Sequence, residues 1–495
     1  MKKLSPVKFI LLIAALSYLA WFIPQAMGYW FRWQSLLTVP VLFFYARRLR
    51  KLAWCIAAFM AVVSCYAFIG LRFGPPSIGV VLSVINTNMA EAYEQYTSVP
   101  IAHIGLFLLA IISIYIYCIS TCKRPSSWRV WVIGLVLLVP TLQSGLFFKR
   151  FRECITYTIK HYREEKAELQ HSLSLKPEWL ITKPYTAKGK IHVVIIGESA
   201  RADYFSVYGY PLNTSPFLSQ RASLVINDAI VPGSSTLISV PRILSINEDH
   251  FHIRHAYDAV TLAHAAGLET WWISDQGYMG YSDSGITHIA SRSDHTQFLQ
   301  AGEYDSRSVD DFEVLPPIEA AIAAPTTKDK VIFVHTLGSH EDPCKRVGSY
   351  PLIGQPEWKA HLNCYVTSIK KTDELIARIN LMLEQAQHPY EIIYFADHGL
   401  RVTQDVVQHS SNTREAYHVP FIVIDSEVQG QTVVAEPFDI RHFIDFFAAQ
   451  LGIETSLTAH SWQRYTNSTS IKPIAWDKEH LIDLEQLSAN PAITP

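Results

Sequence analysis

The sequence predicts a two-part protein, an α-helical transmembrane domain of five helices followed by a soluble α/β domain on a mostly parallel sheet. Three observations predict it. The 495 residues are 49% hydrophobic with a mean hydropathy of +0.13, and the apolar excess lies almost entirely before residue 150. After residue 190, apolar strand-like runs alternate with helical patterns, the signature of a sheet covered on both faces. Three of those runs end in clusters of Glu, Asp, His and Ser.

The apolar runs are Val7–Ile23, Trp33–Ala46, Leu52–Leu71, Ile101–Ile119 and Trp128–Phe148. About 20 helical residues cross a hydrocarbon core, so four suffice by length and the second does if it extends back to Phe31. The first lacks a small-residue cleavage site and more spans follow it, so it reads as an uncleaved helix rather than a signal peptide. Lys2, Lys3 and Lys8 precede the first run, Arg47, Arg48, Arg50 and Lys51 separate the second from the third, and Lys123, Arg124 and Arg129 the fourth from the fifth. The other loops are poor in base. This asymmetry puts the N-terminus in the cytoplasm, and five crossings deliver the rest to the far side, the periplasm in a Gram-negative bacterium. A net charge of -2 and a pI near 6.9 give no basis for a nucleic-acid partner.

Residues 1–150 are therefore read as the transmembrane domain, 151–189 as an amphipathic connector, 190–470 as the catalytic domain and 471–495 as a tail, loosely ordered after about Asn467. In the loop between the third and fourth runs, Ser83, Thr87 and Glu91 stand at i, i+4, i+8 and would form a polar ladder on a helix. A solvated interfacial helix explains that spacing equally well. Of the seven cysteines only Cys344 and Cys364 fall in the soluble part. An oxidising compartment would join them as a disulfide, the alternative being two buried thiols.

Expected strands are Ile191–Ile196, Thr270–Ile273, Lys330–His335, Ile392–Ala396 and Phe421–Ile424. Expected helices are Ser215–Ala222, Asp258–Ala266, Cys364–Gln385 and Ile440–Leu451. In open α/β sheets sites gather beyond the carboxyl ends of the strands. There the sequence places Gly197-Glu198-Ser199, then Gly338-Ser339-His340, then Asp397-His398-Gly399, with Gln408-His409-Ser410 in the loop before the next strand. Glu, Asp and His are the residue types that bind zinc. Asp397 and His398 can share one ion only where the backbone turns sharply, and Gly399 would help.

Gly-Glu-Ser-x-Arg from Gly197, Tyr208-Gly209-Tyr210, Thr214-Ser215-Pro216, Ser235-Thr236-x-x-Ser239-Val240-Pro241, Gly-Ser-His and Asp-His-Gly together resemble the bacterial phosphoethanolamine transferases. These are inner-membrane members of the alkaline phosphatase and sulfatase superfamily, and the resemblance spans essentially the whole chain. It implies zinc, one ion or two, held by Glu198, Thr236, Asp397 and His398. It implies Thr236 as nucleophile, with Ser199 a neighbour and the weaker candidate. It implies His340 and His409 at the phosphoryl group or a second metal, with His418 as a competing candidate of scaffold character. Ser83, Thr87 and Glu91 would bind the lipid head group, Ser83 replacing an Asn of the relatives. The implied reaction moves phosphoethanolamine from phosphatidylethanolamine to an envelope glycan or lipid through a phosphothreonine intermediate.

A further departure concerns the cysteines around the nucleophile. Lipid A-modifying members flank the nucleophile with disulfide-forming cysteines, and here those places hold Pro232 and Arg242. The acceptor is therefore not carried over. A phosphoglycerol transferase would keep nucleophile and metal, but the anionic Glu91 suits an ethanolamine ammonium. A sulfatase is disfavoured because no Cys-x-Pro-x-Arg or Ser-x-Pro-x-Arg motif follows the first ligand. A catalytically silent membrane partner would have lost a ligand, and none is lost.

Overall fold

The computed structural model describes residues 6–29, 33–77, 80–81, 84, 99–120, 128–129, 132, 136, 148–278, 284–301, 309–458, 461–466 and 471–495. The chain forms two compact units, Met1–Val81 with Gln95–Arg163, and Leu82–Glu94 with Glu164–Pro495.

The first unit is built on apolar helices. Pro6–Ala26 and Ile101–Ile119 are each long and apolar enough to cross a membrane. Their shared core includes Leu12, Leu16, Leu19, Ala110, Ile114 and Tyr117, and the Tyr18 hydroxyl donates to the Leu106 carbonyl at 2.6 Å. The third run is not one straight helix: Arg50–Cys65 and Ala67–Phe73 meet at a bend of 50°. Two spans, or three if that pair is one, are thus present among the described residues, where five were expected. The second run forms a 3-10 turn, Trp33–Leu37, and the eleven-residue helix Thr38–Arg48, and most of the fifth lies outside the described residues, as do Ser83, Thr87 and Glu91.

The second unit contains an eight-stranded sheet. Its strands in chain order are β1 (Ile191–Gly197), β2 (Leu224–Ile226), β3 (Glu269–Tyr278), β4 (His295–Ala301), β5 (Lys330–His335), β6 (Tyr390–Ala396), β7 (Phe421–Asp425) and β8 (Thr432–Val434). They lie in the order β8-β2-β7-β6-β1-β5-β3-β4. The centre is a continuous apolar run because both faces are covered. All seven residues of β1 are buried, and Val193, Val194, Ile195 and Ile196 each contribute about 1.5–3 kcal/mol by leaving water.

The sheet is mixed, because one strand departs from the parallel direction that was expected. Strand β7 runs antiparallel to both neighbours, β6 and β2, while the other pairings are parallel. The cause is the connection after β6. Between Ala396 and Phe421 the chain forms only short strands and one 3-10 turn, with no helix to carry it back across the sheet. It passes over the carboxyl edge and descends as β7, and parallel pairing would have required a crossover.

Helix Ala360–Ala386 buries Leu362, Tyr365, Val366, Ile369, Ile376, Ile379 and Leu383, a stripe of helical period, and stops at Gln387 in the left-handed region. A disulfide joins Cys344 to Cys364. In the chain-entropy view, a loop of that length removes about 3 kcal/mol of freedom from the unfolded chain. Residues 471–495 are not loosely ordered. The fully buried Arg201 donates to the Asn490 side chain at 2.8 Å and its carbonyl at 2.6 Å, and the Tyr210 hydroxyl donates to the Ile493 carbonyl at 2.7 Å.

Candidate active site

Register builds the site. Gly197 at the end of β1 pairs with Ala396 at the end of β6, so the next residues, Glu198 and Asp397, emerge side by side. Ile196 pairs with His335 on the other flank, which brings the loop Leu337–His340 over the same edge. The approach is tight. Gly338 has φ +47° and a Cβ there would lie 2.8 Å from the Glu198 carbonyl oxygen. Gly399 serves by space rather than by turning, since its Cβ would meet the Arg201 side chain at 2.6 Å.

Glu198, Asp397 and His398 are fully buried and offer ligand atoms that all lie within 4.8 Å of one another. Thr236 opens the helix Thr236–Leu244 behind the extended cap residue Ser235 and is only partly buried. Its Oγ1 donates to Glu198 Oε2 at 2.9 Å and lies 3.4 Å from His398 Nε2. The Ser199 hydroxyl donates to the other oxygen of Glu198 at 2.5 Å. Ser199 takes a left-handed φ of +59°, unusual for a non-glycine residue, and its amide thereby donates to Asp397 Oδ1 at 3.0 Å. The His398 amide reaches the same oxygen at 2.7 Å, and its Nδ1 faces the Gly399 carbonyl at 2.9 Å, which directs Nε2 into the cluster.

Electrostatics favour a cation here. Asp397 Oδ2 is buried with no aligned donor. Burial, and then the charge of Glu198, pushes Asp397 up to about 7. Burial alone would raise Glu198, but His398 outweighs it and holds that carboxyl well below its ordinary range. Burial would likewise lower His398, yet the two carboxylates push its ring up to about 9. Protons thus stand where a positive ion would relieve the same repulsion. Two carboxylates, an imidazole nitrogen and a hydroxyl converging on one point are a donor set that fits zinc.

The His409 ring lies tilted by 51° beside His398 with centroids 4.7 Å apart, and His340 lies 5.6 Å from His409. Both are partly exposed at the mouth, and burial lowers His340 below its ordinary value. Glu341 fixes the second loop by accepting the His409 amide at 2.6 Å. His418 instead pairs with Asp228 at 2.6 Å, in a strand joined to Ala229–Ile230.

Sequence reasoning missed Gln276. Its amide donates to Glu198 Oε2 at 3.1 Å and to the Thr336 carbonyl at 2.8 Å. The signal was a polar run, Ser274-Asp275-Gln276, at the end of a strand expected to stop at Ile273. Beside it lies a second buried acidic pair. Asp275 faces Asp311, whose Oδ2 accepts the Gly338 amide at 3.1 Å. Burial and the neighbouring Asp311 hold Asp275 well above the carboxylate range, and burial raises Asp311 too.

The sulfatase family model matches residues 190–453. A putative phosphoethanolamine transferase of Haemophilus influenzae is 30% identical over 353 residues, 69% of this chain and 72% of that protein. Among solved structures, the periplasmic domain of Escherichia coli EptC in complex with Zn aligns with a TM-score of 0.55 and 21% identity, over 63% of this chain and 98% of that one. The integral membrane lipooligosaccharide phosphoethanolamine transferase A of Neisseria meningitidis aligns with a TM-score of 0.57 and 14% identity, over 92% and 96%. The soluble unit thus has the alkaline phosphatase-like fold, and the chain belongs to the sulfatase family and, within it, to the phosphoethanolamine transferases.

Proposed function

We propose that this enzyme transfers phosphoethanolamine from phosphatidylethanolamine to an envelope glycan or lipid, through a covalent intermediate on Thr236. In this reading it is a multi-pass inner-membrane protein of five spans, with its N-terminus in the cytoplasm and its catalytic unit in the periplasm. The observation that carries the reading is the placement of Thr236 Oγ1 2.9 Å from Glu198 and 3.4 Å from His398, on the buried cluster that Asp397 completes.

Glu198, Asp397, His398 and Thr236 would hold the zinc. When bound, zinc lowers the pKa of a coordinated hydroxyl and polarises a phosphoryl oxygen. The protein does the rest. Thr236 Oγ1 attacks phosphorus, an Oγ–P bond forms, and the bond from phosphorus to the glyceryl oxygen breaks. Glu198, already the acceptor of the Thr236 hydroxyl, passes its proton on to the departing glyceryl oxygen, so diacylglycerol leaves as the neutral alcohol and Glu198 is ionised again. The Ile238 and Ser239 amides already donate to the Ser235 carbonyl, which leaves the Thr236 and Leu237 amides at the helix start to receive phosphoryl oxygens. The His340 and His409 rings at the mouth can hydrogen-bond the same group or hold a second ion. An acceptor hydroxyl or hydrogen phosphate then attacks phosphorus, the Oγ–P bond breaks, and the acceptor's proton passes to Thr236 Oγ1 and restores the hydroxyl. Thr87 and Glu91, with Ser83, would bind the donor head group, Glu91 against its ammonium.

Intact mass spectrometry of the zinc-loaded protein with phosphatidylethanolamine and no acceptor tests this. A gain of one phosphoethanolamine group is expected on wild type and Ser199→Ala and absent from Thr236→Ala. No gain on wild type overturns the donor. A gain retained by Thr236→Ala overturns the nucleophile. An adduct from phosphatidylglycerol instead would make this a phosphoglycerol transferase.

A further inference from the structure

Residues after 471 lie outside the stretch matched by the family model, yet they touch the loop that carries Thr236. Pro473–Ile482 folds back on itself: the Ile482 amide donates to the Pro473 carbonyl at 2.8 Å, and the Ala475 amide to the His480 carbonyl at 2.8 Å. Along one side, the Ile474 amide donates to the Pro232 carbonyl at 2.8 Å, and the Ile474 side chain would meet a Cβ on Gly233 at 3.8 Å. The Trp476 indole N–H donates to the Ser234 hydroxyl oxygen at 2.9 Å. Ser234 is fully buried, two residues before Thr236, and the Tyr417 hydroxyl reaches the same oxygen at 3.4 Å.

At its turn this segment is anchored elsewhere. Lys478 Nζ donates to both carboxylate oxygens of Glu165, at 2.7 and 2.9 Å, with the ammonium side chain only 13% exposed. Glu165 belongs to the helix Phe148–Ser174. Lys478 has φ +58°, a left-handed conformation uncommon for a non-glycine residue, in the turn where its amide donates to the Ala475 carbonyl at 2.9 Å. The end of that helix, from Glu164, belongs to the second unit and is held there: the Ser172 hydroxyl lies 2.9 Å from His288 Nε2, and Arg292 donates to the Ser172 carbonyl at 2.7 Å.

We propose that Pro473–Ile482 is a strap that sets the Pro232–Thr236 turn, with Trp476 and Lys478 acting as positioning residues for the Thr236 hydroxyl. Trp476 fixes the turn at Ser234, and Lys478 fixes the strap by clamping it to Glu165. A helix that begins at Thr236 takes its entry direction from the residues before it. Of these, Pro232 and Ser234 are the ones the strap holds. The kinetic part of this proposal rests on Thr236 being the nucleophile.

The test uses full-length, zinc-loaded protein in lipid with phosphatidylethanolamine as donor. Trp476→Phe keeps an aromatic ring, smaller than the indole, and removes the donor, and Ser234→Ala removes the acceptor. Each should slow single-turnover adduct formation roughly three- to tenfold, the worth of one hydrogen bond, with little change in the donor KM. The double variant should be no slower than the worse single one. Amide hydrogen exchange at residues 233–239 should quicken in both single variants and in Lys478→Met. Wild-type rates with unchanged exchange in Trp476→Phe and Ser234→Ala overturn the strap, and so do losses that multiply in the double variant. If Trp476→Phe does not fold, Ser234→Ala and Lys478→Met decide by the same two readouts. If wild type forms no adduct, the phosphothreonine reading falls, and hydrogen exchange alone decides the strap.

Discussion

Two pairs of acidic residues lie buried at the carboxyl edge of the same sheet. Glu198 and Asp397 follow β1 and β6, while Asp275, near the end of β3, faces Asp311. Burial pushes against charge in both, yet the surroundings differ. The first pair has His398 at 3.3 Å and two hydroxyls, Ser199 and Thr236, on Glu198. The second has the Gly338 amide on Asp311, with Arg346 and Lys371 as its more distant cations. The first can exchange its protons for a metal ion, whereas in the second burial and the neighbouring acid favour the protonated form of Asp275. Burial of two acids therefore does not make a metal centre. A neutralisable imidazole and a hydroxyl on the open side do.

The largest effect should separate the pairs outright. Asp397→Asn should lower zinc affinity by at least about 100-fold, more than a supporting residue costs, while Asp275→Asn leaves it unchanged. Isothermal titration with zinc reads both, and equal losses would erase the distinction.

Next is the pH dependence of the zinc-free protein. The folded His398 ring keeps its proton up to about 9, whereas an unfolded histidine loses it near 6.5. Between those values the folded state binds more protons, so stability falls as pH rises, by at most about 1.4 kcal/mol per pH unit from this group. Thermal midpoints from pH 6.5 to 9 should fall without zinc and hold with it. A zinc-free slope that His398→Gln leaves in place would assign the effect elsewhere.

The smallest effect concerns the second pair. Asp275 is held well above its ordinary value, so it is protonated when folded and ionised when unfolded, and its contribution is lost as pH rises from about 4. Asp275→Asn supplies a permanent donor to Asp311 and should stabilise by about 1 kcal/mol at pH 7, with no gain at pH 4. Denaturant unfolding at both values reads it. Destabilisation at pH 7 would show that the two carboxyls do not share a proton.

Much of this was legible in sequence because it is local. Apolar runs that end in Gly-Glu-Ser, Gly-Ser-His and Asp-His-Gly mark strands with polar ends, and parallel register then gathers them. What was hidden depends on distance along the chain. Gln276 looked like loop because nothing local shows that β3 runs on to Tyr278. The reversal of β7 follows from the absence of a crossover helix, which no residue announces. Residues 471–495 looked loose because their partners, Arg201, Ser234 and Glu165, lie hundreds of positions earlier.

That distance has a consequence in the order of synthesis. Ser234 and Trp476 are 242 residues apart, and the Ser199 amide and Asp397 are 198 apart. At about 5–20 residues per second, the Thr236 turn exists for roughly 12–50 s before its indole partner has been made. Glu198 and Thr236 emerge first, Asp397 and His398 long after, and Trp476 later still. A chain still being synthesised thus carries the hydroxyl without the groups that would aim it, and the last pieces of the site to be made are those that close it.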